Sequence, residues 1–370
     1  MTTTGMQLHS TLAADGTLTL ELKEITFPSP VRNQVLIRME AAPINPSDLS
    51  LMTAGVDLGT ASFSPGKMTA QIAPQFVAAQ AARHGIPQTV GIEGAGTVIS
   101  TGEEPEASAL MGKRVACAPG SSFGHYALVD ASTCLPLGQH SCEDGASAYV
   151  NPMTALGFVE TVKRDGEQAL VHAAAASNLG QMLGRICRED GLDLVNVVRR
   201  EEQAELLRGQ GADHVVNSSA ENYEASLADA IGATQAFVGF DPIGGGSVTD
   251  SCLRAMERVA ATELTEFARY GSIRQKRMYI YGFLDPSPTT LTRAYGFSWS
   301  VSGWLLRPFL ATCDEATVSQ MRNRVLAGLT TTFASHYKAR VKLDEMLTPD
   351  IIRDYAQMAT GEKYLVTPHG

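Results

Sequence analysis

Arg199 and Arg200 directly follow the apolar run LVNVV, about 20 positions beyond a turn of small residues, AAASNLG, that ends in Gly180. When a dinucleotide occupies such a turn, a residue at that distance faces the adenosine ribose. A carboxylate there accepts from a free 2′-hydroxyl, whereas an arginine neutralises a 2′-phosphate. Glu201 and Glu202 come only after the arginines, so the pattern predicts NADPH in preference to NADH. The competing reading is that RREEQ simply opens the next helix with solvated charge. The turn has one glycine where a full dinucleotide fingerprint has several. Ala173 to Ser177 are nevertheless small enough for backbone to approach phosphate, and Asn178 is the residue expected to tolerate a positive φ.

The elements that must hold this turn are legible around it. QALVHA reads as a strand and LVNVV as the next, both near-continuous apolar runs of the kind a doubly covered parallel sheet requires. Between them Leu179, Met182, Leu183, Ile186 and Cys187 recur at helical spacing and define one apolar face. Strand, tight turn and helix N-terminus together make an anion site, since unpaired N–H groups and the helix dipole point into the turn. Ser177, Asn178, Leu179 and Gly180 are its candidate phosphate contacts.

Composition narrows the class. A chain of 370 residues exceeds one ordinary core and suits two domains. Apolar residues at 44% and charged residues at 18% are those of a soluble globular protein. A net charge of −10 argues against nucleic acid or an anionic membrane as principal partner. No apolar run approaches a membrane span, and MTTTGMQLHS lacks the basic-then-apolar layout of a signal peptide, so cytoplasmic residence is expected. The six cysteines are scattered without a CxxC pair, which suggests neither a zinc site nor a disulfide framework.

Two sequence regimes alternate along the chain. Residues 7–50 and 90–135 carry strand-like runs, including LTLELKEI, QVLIRMEA, GTVIS, KRVACA and GHYALVD. Between them, residues 55–88 include MTAQIAPQFVAAQAARHG, which reads as one or two short helices, either a lid over a pocket or a packed excursion. From about Ala146 strands and helices alternate: GADHVVN, TQAFVGF, the glycine-rich DPIGGG with a helix through Val248 to Val259, then MYIYGF and SWSVSGWLL. The tail supplies a helix, the TTFASHYKARVKL segment, a helix over 349–358 and the strand KYLVTP. This order predicts an α/β protein in which a doubly wound parallel-sheet domain, residues 146–312, is inserted into a mainly-β domain, residues 1–145 plus 313–370.

INPSD at 44–48, GIEGAGTV at 91–98, FGHYALVD, NPMTAL at 151–156 and the closing GEKYLVTP resemble the medium-chain dehydrogenase/reductase superfamily. More closely, they resemble its zinc-independent quinone oxidoreductase and enoyl-thioester reductase branch. The resemblance runs from about Leu18 to the C-terminus, with gaps at 55–88 and around 260–275, and implies a GroES-like catalytic domain around a Rossmann domain. In the zinc branch a cysteine stands near the place of Asn45 and a histidine directly precedes the glutamate of the GxExxG segment. Here that neighbour of Glu93 is Ile92, which has no lone pair to offer a metal. No metal site is therefore expected, and Glu93 reads as a structural acceptor.

The chemistry that remains is hydride transfer from NADPH to a quinone or to a C=C bond conjugated to a carbonyl. The resemblance implies that Asn45 lies near the nicotinamide and Thr154 near its ribose or amide, with Asn151 and Met153 on the same wall. Asn45-Pro46 and Asn151-Pro152 are also good turn starters in their own right. It also implies that Asp241, Pro242 and Ile243 cross the cofactor, and that Gly282, Phe283 and Leu284 approach the nicotinamide after the next strand. Tyr281 could donate a proton, although a tyrosine in an apolar strand is usually core.

Enoyl-thioester reductases of this kind carry a proton-donating tyrosine shortly after NPSD, and residues 49–54 and the following insertion contain none. That disfavours a 2-enoyl thioester reductase using this acid, leaves quinone or enone reduction, and makes Tyr126 the substitute acid to look for. The depleted glycine loop also leaves open a catalytically silent nucleotide-binding protein on the same fold. Phe297, Trp299 and Trp304 fall where related proteins pair edge strands about a two-fold axis, which implies a homodimer; the alternative is that they fill the core.

Overall fold

The computed structural model describes residues 2–357 and 363–370. The chain divides into two compact units, Met1–Val150 with Arg324–Gly370, and Asn151–Asn323. The second boundary falls within the Glu315–Ala327 helix, where no change of composition marks it.

The first unit is mainly β. Thr3–Leu12 and Thr17–Phe27 form a long antiparallel pair, in register from Thr3↔Phe27 to Leu12↔Leu18. Gln34–Pro43 is a central strand of a seven-stranded sheet, paired with Gly94–Thr101, Tyr126–Asp130 and Tyr364–Thr367. Alternation turns Leu8, Leu12, Leu18 and Leu20 into one core with Met68, Ile72, Phe123, Val341 and Tyr364.

Residues 55–88 differ from the helical expectation. Lys67–Gln71 is a strand paired antiparallel with Thr17–Phe27, and only Pro74–Ala79 and the single turn Ala81–Arg83 are helical. Met68, Ala70 and Ile72 enter the core, so the apolar content of the insertion is consumed by sheet extension. MTAQI alternates at period two, and its partner strand's open edge decided between the two periods. Of the helix expected over 349–358, Pro349–Tyr355 is helical; Met358 lies outside the described residues, as do Gly361 and Glu362 of the closing motif.

The second unit is a six-stranded sheet whose neighbouring strands are all parallel. Its order is His214–Asn217, Asp193–Val198, Ala169–Ala173, Val238–Asp241, Lys276–Ile280, Trp299–Gly303. The order reverses beside Ala169–Ala173, giving the doubly wound arrangement and a switch point at the C-terminal ends of Ala169–Ala173 and Val238–Asp241. All five residues of Ala169–Ala173 are buried, as expected of a central strand covered on both faces. The three aromatics near the last strand separate in role. Trp304 is buried against Phe158 and Phe309 and donates to Thr161 Oγ1 at 3.1 Å; Trp299 lies on the edge strand; Phe297 is 81% exposed.

Candidate active site

In the second unit the candidate phosphate turn links Ala169–Ala173 to the Asn178–Asp190 helix. Ser177 caps that helix, its hydroxyl accepting from Gly180 N at 3.1 Å. A β-carbon at Gly180 would lie 2.2 Å from the Ala175 carbonyl oxygen, so glycine is what lets the first helical turn press onto the loop. The left-handed residue is Ala174, at φ 50°, and not Asn178, which is already helical. Ala175 N must reach Val197 O, 3.1 Å away, and that bond dictates where the chain reverses.

Arg199 and Arg200 follow the adjacent strand and are exposed, their backbone N–H groups both donating to Gln203 Oε1. Among the described residues neither guanidinium enters an ion pair. Glu201, the nearest acid, is committed elsewhere: its carboxylate accepts from Arg208 at 2.6 Å and from Asn217 at 3.0 Å. The cations are thereby left to meet an anion while the competing carboxylate is drawn aside.

The structure brings Asp241–Pro242–Ile243 together with Gly282–Phe283–Leu284. Leu284 N donates to Pro242 O at 3.1 Å, and Asp285 N to Ile243 O at 2.9 Å. A β-carbon at Gly282 would sit 2.5 Å from Pro242 O, and one at Gly244 2.7 Å from Gly282 O. Asp241 is fully buried and shapes this loop from inside, accepting from Ile243 N at 2.7 Å and Thr249 Oγ1 at 2.8 Å. Burial holds its pKa above the ordinary carboxylate value, against those hydrogen bonds. Phe283 projects outward, 88% exposed. Asn151, Met153 and Thr154 share the Val150–Arg164 helix; Met153 and Thr154 are buried there and Asn151 is half-buried. Tyr281 is half-buried directly after Lys276–Ile280, and its hydroxyl meets buried His172 Nε2 at 2.8 Å; burial pushes that histidine down to about 3.

In the first unit Asn45 precedes the Pro46–Met52 helix and is almost fully buried. Its Nδ2 donates to Glu93 Oε1 at 2.9 Å, while Oδ1 has no hydrogen-bond partner among the described residues. Glu93 Oε2 accepts from Tyr149 N and Val150 N at 3.0 and 2.8 Å, making it a structural acceptor. Asp48 accepts from Asn45 N at 2.9 Å and from Ile92 N at 2.8 Å. Burial first, then the Glu93 charge, push its pKa to about 7 against those two bonds and the Lys363 ammonium. Tyr126 is not brought to Asn45. It pairs with Arg38, and Arg38 to Pro43 alone is about 17 Å of strand. Its ring packs edge-on against Phe27 and His369.

Sequence reasoning missed a polar cluster in this unit. Lys363 Nζ donates to Ser147 Oγ at 2.9 Å, and Ser147 Oγ meets Tyr337 Oη at 2.9 Å. The partners lie 216 and 190 residues apart, so no local pattern signals them.

The Alcohol dehydrogenase GroES-like domain family matches residues 31–157. A Leishmania amazonensis protein named probable quinone oxidoreductase is 26% identical over 73% of this chain and 74% of its own length. The mitochondrial enoyl-[acyl-carrier-protein] reductase of Xenopus tropicalis is 29% identical, over 53% of this chain and 51% of its own. Among solved structures, a Mesorhizobium loti protein assigned as an NADPH:quinone reductase superposes with TM-score 0.74, at 26% identity, over 99% of this chain and 98% of that one. The chain belongs to the medium-chain dehydrogenase/reductase superfamily. Within this superfamily of oxidoreductases it falls in the quinone oxidoreductase-like branch. The Escherichia coli quinone oxidoreductase, solved in complex with NADPH, shares the fold at 18% identity, with TM-score 0.69 over 99% of this chain. No helix among the described residues is long and apolar enough to cross a membrane.

Proposed function

We propose that this superfamily member is a zinc-free, NADPH-dependent reductase of quinones or of C=C bonds conjugated to a carbonyl. The observation that carries the cofactor is the exposed Arg199–Arg200 pair at the end of Asp193–Val198, with Glu201 turned away to Arg208 and Asn217. The Ala175–Gly180 contact supports a pyrophosphate at the turn, because the helix start and the loop approach without an intervening side chain. The laced loops at Pro242 and Gly282 lie at strand C-terminal ends, where nicotinamide belongs in such sheets. When bound, the reduced nicotinamide supplies the hydride; the protein's part is to bind, orient and exclude water.

The donor set supports the zinc-free reading. Ile92 has no lone pair to offer a metal, and the Glu93 carboxylate beside it is engaged by three N–H donors, from Asn45 Nδ2, Tyr149 N and Val150 N. Relatives named quinone oxidoreductase and enoyl-[acyl-carrier-protein] reductase support the acceptor class. We also propose a cytoplasmic homodimer, the Trp299–Gly303 edge strand and exposed Phe297 supplying its contact. Nicotinamide fluorescence titration, NADPH beside NADH, tests the cofactor. Consumption of NADPH with 1,4-benzoquinone, 2-cyclohexenone and crotonyl-thioester tests the acceptor, and binding without consumption of any would defeat the enzymatic reading.

A further inference from the structure

The six-stranded sheet of the second unit ends on one side at Trp299–Gly303, whose outer edge pairs with no strand among the described residues. Lys276 N donates to Ser298 O at 3.0 Å and Trp304 N to Ile280 O at 2.9 Å, so the even-numbered residues of this stretch bond inward. Trp299, Val301 and Gly303 therefore turn their N–H and C=O groups outward. Soluble proteins blunt such an edge with charge, proline or a bulge. Residues 294–306 contain no charged side chain and no proline, and the strand keeps unbroken register with Lys276–Ile280.

Gly303 is not required by its own chain. Its backbone is outside the left-handed region, and a β-carbon there would meet nothing within 4 Å. Phe297 and Leu305 stand two residues beyond either end of the strand, equally far from Val301, and both are exposed. The Phe297 ring meets that of Tyr270 edge-on at 5.9 Å. Tyr270 belongs to the excursion over residues 262–275, where Phe267 and Ile273 are also exposed.

That excursion is fastened from below. The fully buried Lys276 donates to Glu257 Oε2 at 2.6 Å, to Ser272 Oγ at 3.0 Å and to Arg274 O at 2.9 Å. Ser272 N donates in turn to Glu257 Oε1 at 2.8 Å. A buried ion pair thus holds apolar side chains ready in water, which lowers the entropy lost when a partner covers them.

We propose that this edge pairs antiparallel with the same edge of a second copy, about a two-fold axis through Val301, with the 262–275 excursion as the apolar shoulder of the seam. The inference rests on the homodimer proposed above and fixes its register. Val301 meets the partner's Val301, Trp299 meets the partner's Gly303, and Phe297 meets the partner's Leu305. All three pairs join odd-numbered residues, whose backbone groups face outward on both copies. The missing side chain of Gly303 leaves room for the partner's Trp299, an aromatic-over-glycine packing that suits paired edges. An axis through Ser300 or Ser302 would set Val301 or Leu305 opposite Trp299 and would part Phe297 from Leu305. The same patch serves both copies, as a closed two-fold contact requires. Phe267, Tyr270, Ile273, Phe297 and Leu305 leave roughly 800 Å² of side chain in water, the share of each partner in a standard interface.

Gly303→Ile tests the pairing at a position where the chain alone has room. The variant should keep the far-ultraviolet dichroism of the wild type. Its dimerisation, read by sedimentation velocity, should weaken by about 10- to 100-fold, the scale of an overpacked contact. Oxidative cross-linking locates the axis. Val301→Cys should join its counterpart, about 5.5 Å away between α-carbons and within disulfide range. Ser300→Cys and Ser302→Cys lie about 8 Å from theirs, outside that range, and should stay at the baseline set by the native cysteines. A dimer unmoved by Gly303→Ile, or cross-linking at Ser300 or Ser302 in preference to Val301, would overturn the register while the homodimer stands. A wild type that stays monomeric at every concentration, its edge taken by a foreign strand or by none, would defeat the homodimer itself and this inference with it.

Discussion

Gly180 and Ala175 approach so closely that a β-carbon on the first would lie 2.2 Å from the carbonyl oxygen of the second. The obstacle is backbone, which cannot rotate aside, so a substitution must move the helix start or the loop. Gly180→Ala is expected to destabilise the second unit by about 1–3 kcal/mol, the cost of overpacking. NADPH affinity should fall at least about tenfold through the displaced turn. Thermal unfolding and fluorescence titration check the two effects, and unchanged binding in a folded variant would remove this turn from the phosphate site.

Ala174 presents the opposite case. It occupies φ 50°, where an L side chain costs about 1–2 kcal/mol. Ala174→Gly relieves that strain and gives back part of it as unfolded-chain entropy, for a net gain of about 0.5–1 kcal/mol. A rise in Tm of about 1–3 °C should appear in calorimetry.

Arg199→Ala should weaken NADPH by at least about tenfold, the scale of a lost charged hydrogen bond, and NADH far less. Equal losses for both nucleotides would show that Arg199 does not meet the 2′-phosphate.

His125 and His369 stack at 4.7 Å, and Met6 N donates to His125 Nδ1 at 3.2 Å, which requires that nitrogen to be unprotonated. Burial first lowers both histidines below the usual 6.5, and Arg38 lowers both further; a backbone hydrogen bond opposes in each, as does Glu40 for His369. With folded values depressed, the unfolded chain binds more protons once pH drops below about 6.5. Stability from this pair is therefore full above that point and is lost as pH falls through the folded values. Asp48 acts in the opposite sense, so the comparison must be with a variant: His125→Asn keeps an acceptor for Met6 and cannot charge. Its urea midpoint should fall less between pH 7 and pH 5 than that of the wild type.

Glu93 takes three N–H donors with two oxygens inside the first unit. Glu93→Gln replaces one acceptor by a donor facing a donor and removes the charge supporting Lys363. A loss of about 2–4 kcal/mol in chemical denaturation is expected, whereas a change below about 0.5 kcal/mol would mean the network re-forms around the amide.

Strand, turn, helix and second strand around Gly180 were all readable from the chain, because a buried central strand is a continuous apolar run and its helix keeps one apolar face. The same holds for the strands Val238–Asp241 and Lys276–Ile280, read from TQAFVGF and MYIYGF, although the direct lacing of their loops was not. Residue type alone also showed that Ile92 cannot ligate a metal, whereas the capping role of Ser177 emerged only in the folded chain. The helical reading of MTAQI was wrong because three apolar residues in so short a stretch suit either period, and the free edge of Thr17–Phe27 chose the strand. Positive φ fell on Ala174 instead of Asn178 because a long-range bond to Val197 places the reversal one turn earlier. Tyr126 and Tyr337 show the remaining divide most plainly. Residue type nominated the first, but strand register carried it far from Asn45. Folding alone joined Tyr337, Ser147 and Lys363, since a hydrogen bond depends on distance in space and leaves no periodic trace along the chain.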